Sequence, residues 1–257
     1  MIKVFSSGSC RLLTGLGKGH KLIEPLHSMF FNFVGINFLG KLHDIKCHIQ
    51  FIKYIKGEIH IPDDILPYFL VSYSRKKQLL RKLENHDLLP SKLNNLRESF
   101  DNCSIYLFEI SSLKLFFKNG FSIMSEIAEQ YNSFEKQTKE DLKKDIRILI
   151  NLIGNDKKIV FQCHFRPNII ENDDKLKIEN REIIYEAINE IQSEYENVFL
   201  HDPSIFIREN HLSETNLFFD DFDKVKPNQP MYDGKNHFSR QGAGFNLRYI
   251  MKNIIKL

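Results

Sequence analysis

Gly8-Ser9-Cys10-Arg11 sets a hydroxyl and a thiol side by side, next to a guanidinium, directly after a short β-prone run. Either side chain can serve as a nucleophile. Ser9 would need a base to take its proton, whereas the Cys10 thiolate would be favoured by Arg11 or by a helix N-terminus. Gly8 permits a tight backbone whose amides can face a developing oxyanion. The plainer alternative is a Gly-Ser turn in which Cys10 packs as a small hydrophobe.

A nucleophile of this kind needs a base and an orienting carboxylate. Asp233-Gly234-Lys235-Asn236-His237 supplies both in one stretch, with His237 as base and Asp233 as its orienter, or else a solvated turn at Asp233-Gly234. Glu109-Ile110-Ser111-Ser112, Cys163-His164-Phe165-Arg166 and His201-Asp202-Pro203 each follow an apolar run. In an open parallel sheet ligands bind beyond the carboxyl ends of the strands, so these segments are candidates to line one pocket. His164 can reach that pocket, with Arg166 available for an anion, or be a satisfied, partly buried histidine.

His43 and Cys47 are four residues apart, as are Asp44 and His48, so each pair can share a helix face and in principle bind a metal. Two ligands per face make an incomplete set, and no metal site is assigned. His43 and Gln50 lie two turns apart and can together line a pocket, or simply make that helix face polar.

The elements that must position these groups can be read from periodicity. Residues 2–7 form a strand ending at Gly8. His43 to Lys56 carries Ile45, Ile49, Ile52 and Ile55 at helical spacing and stops at Gly57. Residues 75–101 suggest two helices interrupted near Pro90, followed by a buried strand from Ser104 to Ile110. Thr138 and Asp141 form a capping box for a helix through Ile153, and Gly154-Asn155-Asp156 turns into a strand over Lys158 to Cys163. Asn180 can cap a helix with Ile184, Ile188 and Ile191 on one face. A strand over Asn197 to His201 follows, then a polar loop at about 208–236, and Ser239 caps a last helix. Apolar strands alternating with helices argue for a parallel sheet covered on both faces.

The 257 residues are 42% hydrophobic, enough for one sizeable domain, and 36 Lys plus Arg balance 33 Asp plus Glu. With a net charge of +3 spread along the chain, no basic face marks nucleic acid as a partner. Cys10, Cys47, Cys103 and Cys163 form no C-x-x-C pair, which fits free thiols in a reducing compartment. No window approaches the roughly 18 apolar residues of a membrane span, and no secretion signal is evident, so a cytoplasmic location is expected.

Taken together, these blocks resemble the SGNH (GDSL-like) hydrolase superfamily, and within it divergent bacterial proteins that open with a Gly-Ser-Cys turn. Gly8 to Arg11 looks like the first block and Asp233 to His237, with Phe238-Ser239, like the last. Glu109 to Ser112, Cys163-His164 and Asp202-Pro203 resemble internal blocks. The resemblance implies a three-layer α/β/α sandwich with a mainly parallel sheet, SGNH hydrolase-like and flavodoxin-like. It would form one domain over residues 1–257, with a helical insertion around 60–101. It also implies an esterase or acyltransferase acting on an acyl or acetyl group of a carbohydrate or related intracellular substrate. No cofactor would be required, with acyl-coenzyme A as an acyl donor in the transferase case.

Two departures bear on the mechanism. The family's first block is usually Gly-Asp-Ser with the nucleophile third, so register favours Cys10 while residue type favours Ser9. The last block usually has two residues between Asp and His where this chain has three, which leaves Asp202 or Glu109 as alternative orienters. The family's Gly and Asn oxyanion blocks have Glu109, Ser111 and His164 in their place. The alternative is a non-catalytic or metal-dependent protein that binds carbohydrate or nucleotide-sugar for surface-polysaccharide biosynthesis. Such a protein would use Arg11, His43, Gln50 and His164 as contacts, or His43, His48, His164 or His237 as metal ligands.

Overall fold

β1 (Ile2–Ser7) alternates its side chains between two buried environments, and the same holds for Ile105–Glu109 beside it. The computed structural model of the chain describes residues 2–8, 12, 31–34, 42–66, 88–123, 134–164, 175–203 and 246–256. Within them β1 pairs in parallel with β2 (Phe31–Val34) on one side and with β3 (Ile105–Glu109) on the other. β3 then pairs in parallel with β7 (Lys158–Gln162), and β7 with β8 (Val198–His201). The five strands run in the order β2-β1-β3-β7-β8.

Helices α1 (Ile45–Lys56), α2 (Leu88–Asp101), α3 (Lys139–Ile153) and α4 (Lys175–Gln192) complete the main scaffold. Phe5, Tyr106, Phe108, Ile159 and Phe161 project from one sheet face into a core shared with α1 to α4. Val4, Ile105, Leu107 and Val160 project from the other, against Leu12 and the C-terminal helical segment through Leu247, Ile250 and Ile254. That segment is π-helical over Ile250–Ile255. The result is the expected α/β/α sandwich. Right-handed crossovers put connections moving one way across a sheet on one face and those moving back on the other. This explains why one buried layer carries the helices between β2 and β8 while Leu12 lies opposite.

Local chemistry sets the helix ends. Asp44 caps α1 by accepting the Cys47 amide at 2.8 Å. Gly57, at φ 75°, ends α1 with its N–H on Tyr54 O and the Glu58 N–H on Lys53 O, a Schellman ending. Thr138 caps α3, accepting the Asp141 amide while its hydroxyl reaches the Asp141 carboxylate. Phe5 anchors the aromatic seam beneath α1 and α2, edge-on to Phe100 at 4.9 Å and stacked with Phe51 at 6.4 Å.

α2 is described from Leu88 and passes through Pro90, while the residues of the expected first helix that precede Leu88 lie outside the described residues. One expectation needs correction. Asn180 does not cap α4 but lies inside it, because the helix begins at Lys175; the apolar face through Ile184, Ile188 and Ile191 is buried as expected. After β3, β4 (Lys114–Lys118), β5 (Phe121–Ile123) and β6 (Glu135–Lys136) form a small antiparallel sheet in the order β5-β4-β6. Asn119 and Gly120, at φ 52° and 81°, make its tight turn.

Among the described residues, no helix is long and apolar enough to cross a membrane. Ser239 and the loop at about 208–236 lie outside the described residues.

Candidate functional site

In chain order the parallel strands are arranged 2-1-3-4-5, so the chain reverses its direction across the sheet between β1 and β3. That reversal is where open α/β sheets form a ligand crevice beyond the strand ends. β1 delivers Ser7 and Gly8 to this point and β3 delivers Glu109. Ser7 is the register partner of Phe108, which carries Gly8 level with Glu109.

Glu109 is buried and its carboxylate accepts the Leu12 N–H at 3.3 Å. A Cβ on Gly8 would stand 2.7 Å from Glu109 Cβ and 2.8 Å from Leu12 Cδ2. One side chain therefore approaches both Gly8 and Leu12, the described residues that flank Ser9, Cys10 and Arg11 in sequence. Gly8 is required by this close approach, not by its backbone angle, since it is not among the glycines of positive φ.

On the opposite side of the same strand ends, His48 of α1 bridges β1 and β3. Its Nε2 lies 3.0 Å from the Glu109 carbonyl and its Nδ1 lies 2.8 Å from Ser7 Oγ. A carbonyl only accepts, so the proton resides on Nε2 and Ser7 donates to Nδ1. Burial holds the imidazole near a pKa of about 4, outweighing the opposing pull of the Glu109 carbonyl. The pair has the tautomer of a serine with its base. Both residues are closed in beneath α1, with the ring edge-on to Phe108 at 5.4 Å, so it works as a clamp across the reversal point.

His43 and Ser111 come together as candidates. His43 Nδ1 is 2.9 Å from Ser111 Oγ, and the His43 carbonyl accepts the amides of Ser111 and Ser112 at 2.9 and 3.0 Å. Gln50 turns to the small sheet. Its Nε2 donates to Ser122 O at 2.9 Å and its Oε1 accepts the Ser122 N–H at 2.8 Å, as a neighbouring strand would. His164 is buried two residues beyond β7.

Asp44, Cys47 and Ser122 form a second buried cluster: Cys47 Sγ lies 3.2 Å from Ser122 Oγ, which reaches Asp44 at 3.5 Å. Burial raises Asp44 to about 6, against the lowering effect of the Cys47 amide bond. Burial, and then Asp44, push the Cys47 thiol well up, and burial takes Cys103 to about 12. Such thiols are unreactive; Cys47, Cys103 and Cys163 are buried and in no disulfide. Asp44 and Cys47, read as one half of each metal-binding pair, are thus occupied as a cap and a packing group. Among the described residues, no group of three or more His, Cys, Asp or Glu can hold a metal ion.

Ser9, Cys10, Arg11, Asp233 and His237 lie outside the described residues. Sequence reasoning missed the Ser7–His48 clamp and the buried residues Gln162 and Asn246. Two signals were available for the elements around them. Asp44 directly precedes the helical pattern, a cap signature, and Asn119-Gly120 between apolar runs is a hairpin signature.

No protein-family model matches this sequence, and no curated protein is significantly similar to it. Among solved structures the chain is similar to a member of the lipolytic protein G-D-S-L family from Veillonella parvula DSM 2008. The identity is 9% over 100% of both chains, with a TM-score of 0.48. Strand order, register and the two buried faces define the α/β/α fold.

Proposed function

We propose that this protein is an SGNH-like esterase or acyltransferase acting on an acyl group of a carbohydrate or related substrate. Cys10 or Ser9 is the nucleophile, His237 the base and Asp233 its orienter. The observation that carries this reading is the position of Gly8: the glycine that opens the turn lies at the reversal point between β1 and β3, pressed against Glu109. A nucleophile on the next residues would stand at the crevice such a sheet forms, with backbone amides nearby to receive an oxyanion.

One observation favours the rival reading of a binding protein without catalysis. The Glu109 carboxylate takes the Leu12 N–H, a donor that an acyl-transfer site could otherwise aim at an oxyanion.

Separate Ser9→Ala, Cys10→Ala and His237→Ala proteins, assayed on model acyl esters and on acyl-coenzyme A with sugar acceptors, decide between the two. The catalytic reading expects His237→Ala and one of the two nucleophile variants to lose turnover by at least a hundredfold, roughly the contribution of a general base. Wild-type inactivity on every donor, or full activity in His237→Ala, overturns it in favour of binding.

A further inference from the structure

Among the described residues, the buried side-chain polar atoms without a hydrogen-bond partner belong to Ser6, Gln137, Gln162, Asn180 and His201. Three of these five lie on one sheet face. Val4, Leu107, Val160 and Phe199 pack toward the C-terminal segment. Alternation along a strand puts every second residue on the same side, so Ser6, Gly8, Glu109, Gln162 and His201 share that face. Glu109 pairs in register with Gln162, and Gln162 with His201. Strands about 4.8 Å apart therefore carry these three side chains in a row. The row is the last of the sheet, at its carboxyl edge and level with Gly8, which contributes no side chain.

The orphaned atoms share a chemistry. Gln162 Oε1 is an acceptor. His201 Nε2 is 2.7 Å from Asn246 Oδ1, so the proton sits on Nε2 and Nδ1 presents a bare lone pair. Burial keeps the ring neutral, with a pKa of about 4. Ser6 Oγ, one position further in, can donate or accept. Gln162 and His201 are 2% and 0% exposed, and a buried acceptor without a donor is destabilising, so a protein retaining two side by side needs a reason.

We infer that the Glu109–Gln162–His201 row is a binding subsite for hydroxyl groups, which recognises the polyhydroxylated, uncharged portion of a substrate entering over the strand ends. An ammonium group fits less well. The unpartnered atoms are neutral, Glu109 already accepts the Leu12 amide, and desolvating a cation there would cost more than neutral acceptors return. Hydroxyls donate without that cost. The inference deepens the proposed carbohydrate reading but does not depend on the nucleophile.

Two measurements test it on the full chain. In the free protein Gln162→Met removes the orphaned oxygen at similar volume, and is expected to raise Tm by about 2–4 °C. A lowered Tm would mean that the oxygen is already satisfied in solution, and overturns the inference. In the second, the ¹⁵N resonance of His201 Nδ1, assigned by its loss in His201→Phe, is followed while glucose, galactose, N-acetylglucosamine, myo-inositol or methylammonium is added. Hydroxylated probes are expected to move it upfield, as acceptance of a hydrogen bond requires. No movement with any of them, or movement with methylammonium alone, overturns the inference. Ser9→Ala and Cys10→Ala proteins should retain this response even if turnover is lost or was never present, so the subsite and the catalytic reading fail separately.

Discussion

Replacing Gly8 with alanine tests the architecture at the reversal point. The added Cβ would be placed 2.7 Å from Glu109 Cβ, 2.8 Å from Leu12 Cδ2 and 3.2 Å from Glu109 Oε2. Carbon atoms pack at about 3.5–4.0 Å, so roughly 1 Å of overlap must be absorbed. Leu12 Cδ2 is the end of a flexible side chain and can rotate away. Glu109 Cβ cannot, because it is fixed to a strand paired on both sides. Overpacking of this kind costs about 1–3 kcal/mol, which for a chain of this size lowers Tm by about 2–12 °C. The second residue separates the causes. Glu109→Ala keeps its Cβ, so Gly8→Ala should cost nearly as much in that background. Glu109→Gly removes the obstructing atom, so the cost of Gly8→Ala should fall by at least half there. Urea unfolding of the four proteins of each cycle measures this coupling directly. A neutral Gly8→Ala, or equal relief in both backgrounds, would refute the argument that β1 and β3 meet backbone to backbone at the site.

The buried titrating groups give a pH prediction. His48 and His201 are lowered to about 4, so their contribution is complete above the unfolded value of 6.5 and is lost as pH falls toward 4. Asp44, raised to about 6 from 3.8, acts oppositely: its contribution is present below 3.8 and lost as pH rises through 6. Near pH 5 the unfolded chain binds two protons at the histidines and the folded chain one at Asp44, so these three groups give a positive slope of about 1.4 kcal/mol per pH unit. Asp44→Asn, which keeps an acceptor for the cap, should steepen the slope between pH 4.5 and 5.5, as ~2 bound protons replace ~1. An unchanged slope in urea titrations would refute the assignment. Gly120→Ala tests a different cause from Gly8. Nothing lies within 4 Å of its added Cβ, but φ is 81°, so a cost of about 1 kcal/mol should come from the backbone alone and should not depend on Glu109. Equal dependence on Glu109 would be inconsistent with that cause.

Much of the scaffold was legible because its signals are local. Ile45, Ile49, Ile52 and Ile55 fix a helix face, Gly57 ends it, and Thr138 with Asp141 starts α3. Asn180 misled because a good cap residue is also tolerated inside a helix: α4 begins five residues earlier, and tertiary packing of Ile184 and Ile188 overrides the local preference. The β4–β6 sheet was overlooked although Asn119-Gly120 announced its turn, since its strands are only five, three and two residues long.

The candidate site divides along the same line. Sequence alone determined that strands end at or beside Gly8, Glu109 and His201 and that a helix follows His43, because strand and helix signals depend on neighbours along the chain. It could not determine that Gly8 has no side chain because Glu109 leaves no room for one, or that Gln50 serves Ser122. Nor could it show that His48 joins Ser7 to the Glu109 carbonyl, a contact between residues 41 and 61 positions apart. Those facts depend on strand order and register, which bring together residues with no relation in sequence. Burial then fixes the chemistry of His48 and Asp44 by removing the water that would otherwise set their charge.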